Sequence, residues 1–307
     1  MIPVLSDASH GTDILCHFVT FRAVPNLSVD RFCQSGKLGP MRVLIWGLLL
    51  LCAPVHAAAP ATIEDGYRAM YNLQFDEAHR IFGAWQQAHP GDPFAAVSDA
   101  AAYLFAEFDR LHILEMEFFL DDRKWDKTPP GDPQLKIKFE QALTQGEQLA
   151  DAAMSRSPDD KRALFAKAMA HGLRSDYLGL IEGRYLASVN EMKAGRVYAE
   201  RLLEIDPLYG DAYLAIGIEN YILSQKPMPV RWLLRAYGSQ TDAERGMENV
   251  RLCIEHGRYM KPFARLMLAV AAMRDKNFDR AREILHALAK EFPRNPLYAE
   301  QAGRLPK

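Results

Sequence analysis

From Thr62 onward, apolar residues recur at spacings of three and four, and no stretch alternates apolar and polar as a half-buried strand does. That period predicts amphipathic helices along the whole of this region. Prolines stand between the helical stretches, at Pro90, Pro93, Pro129, Pro130, Pro133, Pro158, Pro207, Pro227, Pro229, Pro262, Pro293 and Pro296. Proline lacks an amide hydrogen and clashes with the preceding turn, so these positions divide the chain into about ten helices and no sheet. The predicted fold class is all-α.

Two segments share a finer pattern. Phe75 is followed by Ala78, Phe82, Trp85 and Pro90, and Phe278 by Ala281, Leu285, Leu288 and Pro293. In both, the small residue comes at plus three, further bulky ones at plus seven and plus ten, and proline at plus fifteen. The small residue lets two helices approach, the later residues fill the seam, and proline ends the second helix. Two copies at opposite ends of one chain imply a stack of helix pairs between them. Five pairs are expected, over residues 60–92, 93–158, 160–207, 208–257 and 260–296.

The three central pairs carry lengthened inner turns. The longest lies between helices expected at 94–107 and 135–155 and contains Asp121-Asp122-Arg123-Lys124-Trp125-Asp126. The second lies between 162–173 and 193–205. The third runs from Gln225 to Gln240 and carries Pro227, Pro229 and Trp232; Thr241 and Glu244 then read as a capping box, and Gly257 ends the helix they open.

The paired pattern resembles the tetratricopeptide-repeat (TPR) family. The last copy matches its 34-residue pattern with Leu268, Ala269, Phe278, Ala281, Leu285 and Pro293, and the first with Gly66, Phe75, Ala78, Phe82 and Pro90. Departures are Arg265, Leu73 where glycine usually makes the inter-helix turn, and Trp85 and Leu288 in place of alanine. Helix pairs with lengthened turns also resemble a divergent, envelope-associated bacterial branch of the family. The resemblance implies a helical solenoid that binds a protein or peptide partner along a concave face lined by the first helix of each pair. Transferred position by position, it selects Tyr67, Met70, Tyr71, Phe105, Met169, Asp211, Tyr221, Phe263, Met273 and Arg274 for that face. The set is mostly apolar and aromatic, which suits an apolar peptide or amphipathic helix. The alternative, that these positions are core because the lengthened turns fold inward, stays open at this point.

Composition changes the picture at the N-terminus. Met41–Ala57 reads as a signal peptide: Arg42, an apolar run Val43–Leu51, then Val55-His56-Ala57 before Ala58. Residues 1–40 show neither period nor caps and are expected to be a non-native extension or a tail. The expected domain is therefore 58–307, exported and most simply periplasmic. Retention of 43–51 as a membrane anchor, or lipidation at Cys52, are the alternatives. Of Cys16, Cys33, Cys52 and Cys253 only the last follows the signal segment, so no internal disulfide is expected and Cys253 reads as a buried structural thiol. A formal charge of −2 argues against nucleic acid as partner.

Chemistry is sparse. The chain has no HExxH, GxSxG, CxxC or glycine-rich phosphate loop. His79, His89, His112, His171, His256 and His286 include no two at metal-ligand spacing on one helix, and the acidic run at 121–126 lacks the glycine and terminal glutamate of a calcium loop. No cofactor, metal or catalytic residue is expected. Function is read as a non-enzymatic interaction scaffold of the cell envelope. The alternatives are a membrane-tethered structural subunit, or an enzyme using Glu182, Arg184 and Tyr185 in the central insertions.

Overall fold

The computed structural model describes residues 61–115, 118 and 129–306. The expectations for residues 1–57, and for the acidic loop with Phe119 and Trp125, lie outside the described residues. Within the described residues there is no strand, and twelve α-helices run in chain order. They are α1 Ile63–Tyr71, α2 Phe75–Ala88, α3 Pro93–Arg110, α4 Pro133–Arg156, α5 Lys161–Asp176 and α6 Tyr185–Ile205. The rest are α7 Tyr213–Ser224, α8 Met228–Ala236, α9 Ala243–His256, α10 Lys261–Arg274, α11 Phe278–Glu291 and α12 Pro296–Arg304. No helix of the described residues is long and apolar enough to cross a membrane.

Seven of the twelve helices start where a side chain accepts from the free amides. Thr62 and Asp65 form a capping box on α1. Asp92, Asp132 and Asn295 cap α3, α4 and α12, each followed by proline at the first helical position, where no amide hydrogen is needed. Asp160 caps α5. The cap of α9 is Asp242, which accepts from the Arg245 amide. This corrects the reading of Thr241, which is buried and accepts from Arg235 instead.

Packing follows the five expected pairs. α1 packs on α2, α3 on α4, α5 on α6, α7 on α9 and α10 on α11. The second helix of each pair also packs on the first helix of the next, and α12 closes the series against α11. Small residues lie at the seams: Ala78 and Ala281 are fully buried, and a Cβ added at Gly66 would stand 2.3 Å from the Phe82 ring. Asp92 ties three pairs together. It caps α3, accepts the indole N–H of Trp85 at 2.8 Å, and takes a two-pronged bond from Arg162 of α5 at 2.6 Å. Burial pushes its pKa up, but Arg162 and Trp85 outweigh that and hold it below the ordinary carboxylate value.

Two of the lengthened turns are resolved differently from the expectation. Between 173 and 193 there is little loop. Instead α5 runs on to Asp176 and then a π-helical turn Tyr177–Ile181, while α6 begins at Tyr185. The segment 225–240 contains a helix, α8, that the alternation of prolines concealed.

Leu73 and Lys276 occupy the same place in the first and last pairs, and both take a left-handed φ, 57° and 60°. The inter-helix turn is therefore made without the glycine the repeat pattern prefers, and α1 forms regardless. A left-handed side-chain-bearing residue costs roughly 1–2 kcal/mol. Lys276 is exposed, and Lys276→Gly is expected to raise stability by about 0.5–1 kcal/mol, part of the relief being offset by the freer unfolded chain. An equal or lower urea midpoint for the variant would contradict this.

The two ends of the stack meet. The Tyr71 hydroxyl donates to the Tyr259 carbonyl at 3.1 Å, Asn295 Nδ2 donates to the Tyr71 carbonyl at 3.0 Å, and the Arg294 amide donates to Asn72 Oδ1 at 3.0 Å. Arg258 pairs with Glu64. The first helices of the pairs therefore face a crowded interior, where Tyr67, Phe94, Phe165 and Tyr259 stack with centroids 4.7–6.3 Å apart.

Candidate functional site

The face chosen from the repeat pattern is an inner surface, but much of it is filled. Tyr67, Met70, Tyr71, Phe105, Met169, Asp211 and Phe263 come together around one cavity of about 100 Å³. Tyr67, Met70 and Tyr71 are each less than 5% exposed. Tyr67 shares a hydrogen bond with Ser98 at 3.1 Å, and burial pushes its phenol far above the usual range. Tyr221 is buried and lines neither this cavity nor the larger one beside it, and neither do the half-buried Met273 and Arg274 at the end of α10. The ten residues therefore do not form one continuous groove: seven surround the small cavity, while Tyr221, Met273 and Arg274 lie apart from both cavities.

Asp211 is the clearest change of role. It sits on a 3-10 turn, Gly210–Ala212, and is 5% exposed. Its carboxylate accepts the amides of Arg258, Tyr259 and Met260 at 2.8–3.0 Å. Burial pushes its pKa up and the three amides pull it back. With its oxygens committed to these donors, Asp211 holds the start of α10 rather than a ligand.

Next to the small cavity lies a larger one of about 390 Å³. Phe108 comes from α3, Ser175, Asp176 and Leu180 from α5 and its π-helical turn, and Tyr185, Ser188, Val189 and Met192 from the start of α6. Ile218 and Ile222 of α7, Lys226, Val230 of α8, and Phe263, Leu266 and Met267 of α10 complete the wall. The π-helical turn is the local cause: one extra residue per turn displaces the end of α5, and such insertions recur at functional sites. Ser175 and Ser188 bond to each other at 2.9 Å, joining the π-helical end of α5 to the first turns of α6.

That leaves Asp176. It is half-buried and lines both cavities. None of the described residues donates a hydrogen bond to it, and desolvation alone pushes its pKa up to about 7. Sequence reading missed it. The available signal was an acid just before the apolar run Tyr177–Ile181, a pattern equally consistent with a solvated helix edge.

The other titratable groups are spent on structure. Glu182, named above as part of an enzyme alternative, is bonded by Lys136 at 2.5 Å and by Arg184 at 3.2 Å. His171 bonds Glu191 at 2.7 Å. His112 stands in a left-handed turn after α3 with its side chain 78% exposed. Cys253 is fully buried, and its thiol pKa is pushed up by desolvation. Among the described residues no group of three His, Cys, Asp or Glu could hold a metal ion. Phe118 is buried in the core.

No protein-family model matches the chain, and a search of the curated proteins finds no match. The fold by itself defines an all-α protein of stacked helix pairs with an apolar inner cavity.

Proposed function

We propose that this chain is a non-enzymatic binding module, a TPR-like helical solenoid of five pairs exported to the cell envelope. The larger inner cavity takes an apolar segment of a protein partner. The observation that carries the reading is the cavity itself. Its volume falls within the roughly 300–1,000 Å³ of ordinary ligand sites, and its wall is apolar with a few polar groups. Packing in register with the TPR pattern supports the family likeness, with Gly66, Ala78 and Ala281 at the seams. The half-buried acid supplies orientation: a donor on the incoming segment would meet Asp176, which has no donor within the described chain. The membrane-tethered alternative rests on residues 43–51, outside the described residues.

A photoreactive side chain at Tyr185, at the cavity wall and 43% exposed, tests this. It should give a protein adduct in native envelopes whose cross-linked peptide is apolar, while the same group at Ile137 on α4 should not. Val189→Trp, which fills the cavity, should reduce the Tyr185 adduct about tenfold or more while the melting temperature holds. An adduct insensitive to Val189→Trp would place the partner elsewhere.

A further inference from the structure

α8 is built unlike the other helices. It is the one described helix with no buried residue, and it carries Met228, Val230, Trp232 and Leu233, all exposed, followed by exposed Tyr237. Trp232 is 75% exposed. Arg231 and Arg235 stand one turn apart, side by side on the helix. From Gln225 through Thr241 the chain has Lys226, Arg231 and Arg235 and no acid. The helix is nevertheless held in place. Lys193 of α6 donates to the Tyr237 carbonyl, Arg196 donates to the Gly238 carbonyl at 3.0 Å, and Gly238 ends the helix with a left-handed φ of 82°. An apolar surface presented on a fixed frame calls for something to cover it.

We propose that α8 is a docking surface for an anionic lipid bilayer, lying in the plane of the headgroups. Three observations select that occupant over another protein. The exposed side chains include Trp and Tyr, whose rings are apolar with a polar tip and settle at the headgroup level. The charges on α8 itself, Arg231 and Arg235, are both positive and match lipid phosphates. The apolar surface also extends past α8 to exposed Tyr185, which shares the wall of the larger cavity with Val230. A short helix with an apolar arc and arginines beside it is the arrangement of an interfacial segment, shallow and salt-sensitive rather than spanning. The surface shares Tyr185 and Val230 with the wall of the larger cavity, but its test replaces Trp232 and Leu233, which line neither cavity.

The test is co-sedimentation of the full chain with phosphatidylcholine vesicles, with and without phosphatidylglycerol. The comparison is with a Trp232→Glu/Leu233→Glu variant carrying the same N-terminus, so the difference reads α8 alone. Because α8 buries nothing, the variant should melt with the wild type. The wild type should bind anionic vesicles about tenfold or more tightly than the variant, and lose that advantage at high salt. Brominated lipid should quench a part of the tryptophan fluorescence that is missing in Trp232→Phe. Equal binding by wild type and the double variant overturns the proposal, as does equal binding of the wild type to neutral and anionic vesicles. A concentration-dependent dimer that the double variant abolishes, with no vesicle binding, assigns the surface to a second copy of the chain and also overturns it.

Discussion

Asp211→Ala is expected to destabilise the protein by about 3–5 kcal/mol, enough to unfold a marginal domain. The carboxylate accepts three consecutive amides, those of Arg258, Tyr259 and Met260. Alanine leaves all three without this acceptor, at about 1–3 kcal/mol for each buried donor that stays unpaired. The consequences spread because of what those amides hold. Tyr259 packs 5.3 Å from Tyr67 and 4.7 Å from Phe94, and its carbonyl receives the Tyr71 hydroxyl. The turn can reach these amides only because Gly210 has no side chain: a Cβ there would stand 2.2 Å from the His256 carbonyl carbon. Urea unfolding followed by circular dichroism measures the effect, and Asp211→Asn should recover part of it, since one amide oxygen still accepts. A loss below about 1 kcal/mol would mean that Asp211 faces the cavity and not the amides.

Asp176→Asn is expected to act in the opposite direction. The folded-state pKa of Asp176, about 7, lies above the ordinary value of 3.8. The folded state therefore binds its proton more tightly than the unfolded chain does. The stability this supplies is complete below about pH 4 and is lost as pH rises through 7. One pKa unit corresponds to about 1.4 kcal/mol, so the penalty above pH 7 is on the order of 4 kcal/mol, less whatever water in the cavity restores. Asparagine cannot ionise. The variant should be the more stable at pH 8 by at least about 2 kcal/mol, and the difference should vanish towards pH 4. Melting both proteins across this range checks it. Parallel profiles would show that the carboxylate is solvated and that the cavity is wet.

These two acids show how much of the site was legible. Asp211 was chosen from the repeat register and does lie on the inner face, but its partners are 47–49 residues away in sequence. Asp176 drew no notice, because an acid just before an apolar helical run is ordinary until the cavity beside it is seen. Seven of the ten chosen positions meet around the small cavity. The register gave no account of whether the inner surface is open. α8 was hidden for a different reason: Pro227 and Pro229 read as a break, yet Pro229 falls in the first turn of a helix, where proline is tolerated.

The sequence by itself determined that the chain is helical, where the helices pair, and which small residues lie at the seams. Each of these depends on local period, capping and proline chemistry, all confined to a few neighbouring residues. Only the tertiary structure decided that the first pair meets the last, that the inner face is partly filled around two cavities, and that α8 is left uncovered. Those outcomes depend on contacts between residues far apart in the chain, such as Tyr71 with Tyr259 and Asn72 with Arg294, which no local pattern of residues encodes.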